Sequence, residues 1–204
     1  MNCDRIAKWY RWLEYAVFGP ALERRREAFL PDISRARRVL ALGDGDGRAL
    51  AALVAAAPQA RVDYVDSSAR MLALARARAG TDRVDYHNAD ARLWKIGGAR
   101  SGYDLIVTHF FLDCLNDEEL PSLVKNTSRA AAPSARWIVS EFRPANPAAR
   151  FLIAVMYWFF ARATGLQTHR LADHHPHLLR HGFRLRRAEH RWAGMLASEL
   201  WVRP

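Results

Sequence analysis

The chain has 204 residues, 50% hydrophobic and 25% charged; that suits one globular domain with a sizeable core and excludes a disordered or fibrous chain. Its two cysteines, Cys3 and Cys114, lie far apart, which excludes a disulfide scaffold and a cysteine-based metal site and fits a reducing, cytoplasmic setting. The net charge of +10 comes from arginines spread along the whole chain, so a nucleic-acid interface is disfavoured, while peripheral contact with an anionic membrane stays open.

In chain order, Ile6, Trp9, Tyr10, Leu13, Val17 and Phe18 recur at helical spacing until Gly19-Pro20 interrupts them. This stretch has no apolar core of signal-peptide type. A second helix is expected over 22–29, before Pro31. An alternation follows. Strands are expected at 38–42, 61–65, 83–86, 103–108 and 135–140. The helices between them fall at 48–57, stopped by Pro58, at 69–79, closed by Gly80, and at 118–131. Strands separated by helices of this length predict a parallel sheet covered on both faces, with right-handed crossovers. The longest apolar run, 151–161, is shorter than the roughly 20 residues a bilayer requires. It reads as a buried or lid helix, or as a surface for lipid or a greasy substrate. A helix at 173–181 closes at Gly182. Strands at 183–189 and 196–202 then form a hairpin around Ala193-Gly194, placing an antiparallel strand near one edge.

The most informative run is VLALGDGDGR, residues 39–48. A buried strand runs into Gly43, Gly45 and Gly47, and a helix starts at once. Glycine tolerates positive φ and has no Cβ to hold a ligand off the backbone. Asp66 ends the next strand, 19 residues after Gly47, close to the spacing of an acid that accepts hydrogen bonds from both ribose hydroxyls. Asp90, after the third strand, is placed to reach an adenine. Helix capping is the competing reading of both acids. Ser67, Ala91 and Thr108 lie in the same set of loops at the carboxyl ends of the strands.

These motifs resemble class I S-adenosylmethionine-dependent methyltransferases from about Val39 onward. VLALGDGDG is similar to their first motif, and VDYVDSSARMLALAR to their second-strand acid and following helix. YDLIVTHFFLDCL is similar to the fourth-strand motif. SARWIVSEFRP resembles the fifth strand in a form close to ubiquinone/menaquinone C-methyltransferases. The resemblance implies a Rossmann-like seven-stranded sheet with an N-terminal helical cap, in one domain over 1–204. Its parts are a cap at 1–36, a cofactor-binding core at 37–143, a lid-like insertion at 144–168 and a C-terminal helix and hairpin at 169–204. It implies S-adenosylmethionine as cofactor and its demethylated product, held by Gly43, Asp44, Gly45, Asp46, Gly47, Asp66, Ser67, Asp90, Ala91 and Thr108. Tyr10 or Tyr15 would cover the cofactor from the cap. The family usually has an acid two positions before the first glycine. Ala41 stands there, and Asp44 and Asp46 are expected to compensate.

Methyl transfer from a sulfonium needs alignment, exclusion of water and, for some acceptors, a base. His109 is the candidate base, because imidazole titrates near neutrality; the alternative is a pocket-shaping histidine. Glu141 faces the acceptor or pairs with Arg143. Phe110 and Phe111 are wall residues, Asp113 orients a partner or caps a helix, and Cys114 packs. The aromatic cap and insertion favour a small hydrophobic acceptor. A methyltransferase acting on nucleic acid or protein, and a cofactor-binding module without methyl transfer, are the alternatives. His169, His174, His175 and His177 have no supporting carboxylate or cysteine motif, and no metal is expected.

Overall fold

Strand β1 (Arg38–Leu42) is buried along all but its first residue. In the computed structural model, which describes residues 15, 18–80, 82–94, 102–164 and 171–204 (backbone alone at 159–161, 163 and 164), β1 is an interior strand of a seven-stranded sheet. The helical pattern expected before residue 15, with Tyr10, lies outside the described residues. The order is β3-β2-β1-β4-β5-β7-β6, with β2 at Arg61–Asp66, β3 at Val84–Asn88, β4 at Tyr103–His109 and β5 at Ala131–Phe142. The hairpin is β6 (Arg184–Arg191) and β7 (Leu196–Val202). The first five strands pair in parallel, and β7 lies antiparallel between β5 and β6. The strand order reverses between β1 and β4, where ligands bind in open α/β sheets.

Six α-helices are described: α1 (Ala21–Arg26), α2 (Arg48–Ala56), α3 (Ala69–Ala79), α4 (Glu119–Ala130), α5 (Pro147–Thr164) and α6 (His175–Arg180). On one face, Leu50, Leu53 and Val54 of α2 and Leu72 and Ala75 of α3 join Val39, Ala41, Val62 and Tyr64 of the sheet. On the other, Leu120, Leu123 and Val124 of α4 and Leu178 of α6 meet Leu40, Leu42, Ile106, Trp137 and Trp201. Each such aliphatic side chain contributes about 1.5–3 kcal/mol on burial, so the two apolar faces of the sheet fix where the helices dock.

Local chemistry sets the boundaries. Ser68 Oγ accepts the Met71 N–H at 3.1 Å and starts α3, which Gly80 ends in a left-handed conformation. Asn116 Oδ1 accepts the N–H groups of Glu118 and Glu119, and Glu119 returns a carboxylate to the Asn116 N–H at 3.0 Å; this reciprocal cap opens α4. The second helix is shorter than 22–29, because a 3₁₀ turn over Leu30–Ile33 with Pro31 in its first turn takes over. Strand β5 begins four residues before the expected 135. Pro133 is tolerated because the ladder with β4 shifts register there, so no bond to its nitrogen is needed. Strand β6 is almost wholly exposed, and its arginines blunt what would be an open edge.

The run at 151–161 is helical within α5. Among the described residues no helix is long and apolar enough to cross a membrane. Ala149 and Ile153 pack inward with Phe18, Leu22 and Phe142. Phe151, Val155 and Trp158 face outward, so the helix is neither wholly buried nor wholly free.

Candidate functional site

A cavity opens at the carboxyl ends of β1, β2 and β4. Gly43 to Asp46, Asp66, Ser67, Asp90, Ala91 and His109 line it together with Arg26, Met71, Arg92, Phe110, Phe111, Cys114 and Leu115. Nine residues singled out in the sequence thus meet in one place, although more than sixty positions separate the first from the last.

The glycine turn is held from below. The Tyr64 hydroxyl donates to the Gly45 carbonyl at 2.9 Å, and the Gly43 N–H donates to the Val65 carbonyl at 2.9 Å. Gly45 has φ +73°, and a Cβ there would meet nothing within 4 Å. Its position is therefore open on the side where a ligand would lie. Gly47 differs. At φ +81° it opens α2, and a Cβ would collide with Ala75 of α3. Gly47 does not line the cavity; it serves helix packing, a correction to its expected cofactor contact. Gly43 closes against the other half of the site, because a Cβ there would run into the Phe111 ring.

Asp66 is buried. Its Oδ1 accepts the Ser68 N–H at 2.8 Å, and its Oδ2 accepts the Gly45 N–H at 3.3 Å. These two bonds fix the orientation of the carboxylate at the edge of the cavity. The side-chain cap of α3 is Ser68 and not Asp66. Asp90 lines the cavity, and its oxygens accept from Arg92 Nε at 2.8 and 3.0 Å. The Arg92 hydrogen bonds hold its carboxyl below the ordinary value. Arg92 also reaches Glu119 at 2.6 Å, which ties Asp90 to α4.

Ala41 leaves no acid before the first glycine, and the two turn aspartates do not share its task equally. Asp46 is ion-paired with Arg48 at 3.1 Å and Arg78 at 2.8 Å, and Arg78 also donates to its carbonyl. Asp44 is buried against the cavity and is the better placed of the two. Thr108 is fully buried and accepts the Trp137 indole N–H at 3.0 Å. It does not line the cavity; it is a core hydrogen bond, not the cofactor contact expected of it.

The reacting end also departs from expectation. His109 lines the cavity, with Nδ1 3.0 Å from Ser140 Oγ. Burial, aided by the charge of Arg26, pushes its pKa down to about 3. It is a neutral imidazole of low proton affinity, not a base poised near neutrality. Glu141 does not line the cavity or pair with Arg143, which lies against His190 instead. Glu141 Oε1 accepts the Phe111 N–H at 3.1 Å and the Leu112 N–H at 2.8 Å. It anchors the loop after β4. Glu141 and Asp113 are buried side by side. Burial pushes the carboxyls of both Asp113 and Glu141 above their ordinary values, and each charge raises the cost of ionising the other.

Arg26 is the main lining residue that the sequence reading missed. It sits 5.2 Å over the Phe110 ring and is buried. It belongs to the run Arg24-Arg25-Arg26, in which Arg25 and Arg26 both turn inward but only Arg26 lines the cavity.

A glycine turn, a strand-end acid and a cavity at the point of strand reversal define a Rossmann-like cofactor-binding sheet. The family described as "Methyltransferase domain" matches residues 39–134, so this stretch of the chain is similar to methyltransferase domains. No curated protein sequence matches the chain. Among solved structures, the S-adenosylmethionine-dependent methyltransferase SibL, in its apo form, is 27% identical with a TM-score of 0.68, covering 88% of this chain and 54% of its own. The mitomycin 7-O-methyltransferase MmcR is 19% identical with a TM-score of 0.71, covering 97% and 58%. N-methyltransferase NodS from Bradyrhizobium japonicum WM9, in complex with S-adenosyl-L-homocysteine, is 18% identical with a TM-score of 0.64, covering 90% and 88%. The chain thus spans little more than half of the first two and most of the third.

Proposed function

We propose that the protein transfers the S-adenosylmethionine methyl group to a small, hydrophobic acceptor. The observation that carries this reading is the charge of the glycine turn. A dinucleotide's pyrophosphate would need bare amides at that turn. Here Asp44 and Asp66 line the cavity beside the ion-paired Asp46, which suits a ligand carrying a sulfonium and an ammonium. The open position beside Gly45 fits an adenosine against the backbone, and Asp66 fits its ribose hydroxyls. The cofactor supplies an electrophilic methyl group when bound.

The chain's own residues align an acceptor and exclude water. Phe110, Phe111 and Leu115 supply an apolar wall. His109 accepts a hydrogen bond from an acceptor hydroxyl or amine and orients it. Its proton affinity suits it to take a proton from the strongly acidic oxonium that a neutral hydroxyl becomes on methylation. Deprotonating that hydroxyl beforehand is beyond so weak a base. The similarity to both an O- and an N-methyltransferase leaves oxygen and nitrogen acceptors in play. The ubiquinone/menaquinone subgroup and a cytoplasmic location remain part of this proposal.

Labelled-methyl transfer across phenols, quinones, amines, thiols, lipids, RNA and protein tests the reading. Transfer to a small apolar acceptor is expected, and His109→Asn should lower kcat while leaving cofactor affinity nearly unchanged. Transfer to RNA or protein alone would overturn the acceptor class. The outward stripe of Phe151, Val155 and Trp158, with Arg162 5.0 Å over the Trp158 ring, supports peripheral contact with an anionic bilayer. Cosedimentation with anionic but not neutral vesicles checks that contact.

A further inference from the structure

The densest cluster of ligating side chains away from the cavity lies where α6 meets β7. His174 Nε2 and His175 Nε2 each lie 2.9 Å from an oxygen of Glu199. Neighbouring residues on a helix normally point apart. Here both imidazoles aim the same nitrogen at one carboxylate, and one ligand atom from each of the three residues falls within 4.8 Å of the others. Glu199 is 2% exposed and His174 is 8% exposed. Burial makes the convergence something other than a chance meeting of surface groups.

We propose that His174, His175 and Glu199 form a binding site for a divalent transition metal of the zinc class. Two imidazoles and one carboxylate are a zinc-type ligand set, whereas calcium and magnesium take oxygen ligands almost exclusively. On binding, each ring ligates through a bare Nε2 and keeps one proton on Nδ1, so a neutral imidazole changes tautomer with no net loss and an imidazolium releases one proton to solvent. The surroundings hold the ligands in place. Trp201 Nε1 donates to Glu199 Oε2 at 2.9 Å, and Asp173 Oδ1 accepts the backbone N–H of His175 at 3.0 Å, which fixes the start of the helix that carries it. Such outer contacts orient ligands and tune affinity. The His175 side chain is 35% exposed, which leaves a path for the ion and a position for water as fourth ligand.

The site is independent of methyl transfer. Glu199 and Ser198 are adjacent on β7 and so point to opposite faces of the sheet. Ser198 faces Arg25, whose carbonyl its hydroxyl meets at 2.7 Å. Glu199 faces α6.

The test is titration of the chelator-treated full chain with Zn²⁺ alone by calorimetry, and with Co²⁺ by visible absorption. One equivalent of tight Zn²⁺ binding and an intense four-coordinate Co²⁺ spectrum are expected. His175→Ala should weaken Zn²⁺ binding by at least ~100-fold, more than loss of an outer contact does, and Glu199→Gln should do the same. His177→Ala should leave it unchanged. His175 is partly exposed, so its variant stays informative if the Glu199 variant fails to fold; circular dichroism reports folding of both. Absence of Zn²⁺ binding, or binding that His175→Ala leaves intact, would overturn the proposal. The three residues would then be a hydrogen-bonded clamp between helix and strand.

Discussion

The two halves of the cavity both place buried carboxylates beside backbone N–H groups, with opposite results. On the β1–β2 side, Asp66 accepts one N–H on each oxygen and still lines the cavity. On the β4–β5 side, Glu141 accepts two N–H groups on a single oxygen and turns away from it. Its second oxygen is buried beside the carboxyl of Asp113. One carboxylate faces the cavity, and the other is a scaffold for the loop that carries Phe111. A buried acid at the mouth of a sheet is therefore not enough to mark a ligand contact. The distribution of its hydrogen bonds decides.

That contrast can be broken most severely at Asp66. Asp66→Ala removes up to two charge-assisted bonds to the ribose, each about 1.5–3 kcal/mol. Calorimetry should show cofactor affinity reduced by ~100-fold or more. Glu141→Gln, tested in parallel, should leave affinity within a few-fold of wild type.

The glycines sharpen the comparison within one turn. Gly45→Val should abolish cofactor binding with a modest loss of stability, because its side chain would project toward the ligand from a positive φ. Gly47→Ala should instead lower stability, by about 1–3 kcal/mol from overpacking against Ala75. Thermal unfolding and calorimetry on both variants separate the two effects. Equal losses of binding and stability in both would remove the distinction.

The smallest expected effect is a pH slope. The pKa of His109 falls from 6.5 to about 3 on folding. Its contribution to stability is therefore complete above about 6.5 and is lost as the pH drops toward 3. The Asp113–Glu141 pair works in the other direction. Asp113 is raised from 3.8 to about 6, so the pair's contribution is present in acid and lost as the pH rises through that value. The two oppose each other between roughly pH 4 and 6. In Glu141→Gln the opposition weakens, and urea midpoints should fall more steeply on acidification than in wild type. An unchanged slope would mean that the carboxyl pair does not share a proton.

Most of the sheet was legible because its strands are short apolar runs bounded by Gly, Pro or a capping Ser. Strand β1, strand β7 and helix α3 fall where the pattern puts them. The cofactor half of the site was legible for the same reason: Gly43, Gly45 and Asp66 lie at strand ends that alternation locates. The acceptor half was not. Nothing near Glu141 in sequence says that its partners are the amides of Phe111 and Leu112, about thirty residues away. Nothing near His174 and His175 points to Glu199. Phe110 and Phe111 line the cavity, as their place at the end of β4 suggested, but Arg26 and Glu199 owe their positions to packing across the sheet, which local periodicity does not encode. His109 was found by its place after β4, but burial reversed the chemistry that neutrality suggested.

Strand β7 carries a consequence for the whole molecule. Its consecutive residues Ser198 and Glu199 serve the two faces of the sheet: one braces Arg25 and Ser140 behind His109, and the other gathers two imidazoles. A slip of one residue in the hairpin would exchange the two faces. A carboxylate would then press on the back of the cavity, and a hydroxyl would face the histidines. The short turn through Trp192, Ala193 and Gly194, all at positive φ, is thus the gauge that keeps two separate chemistries in phase.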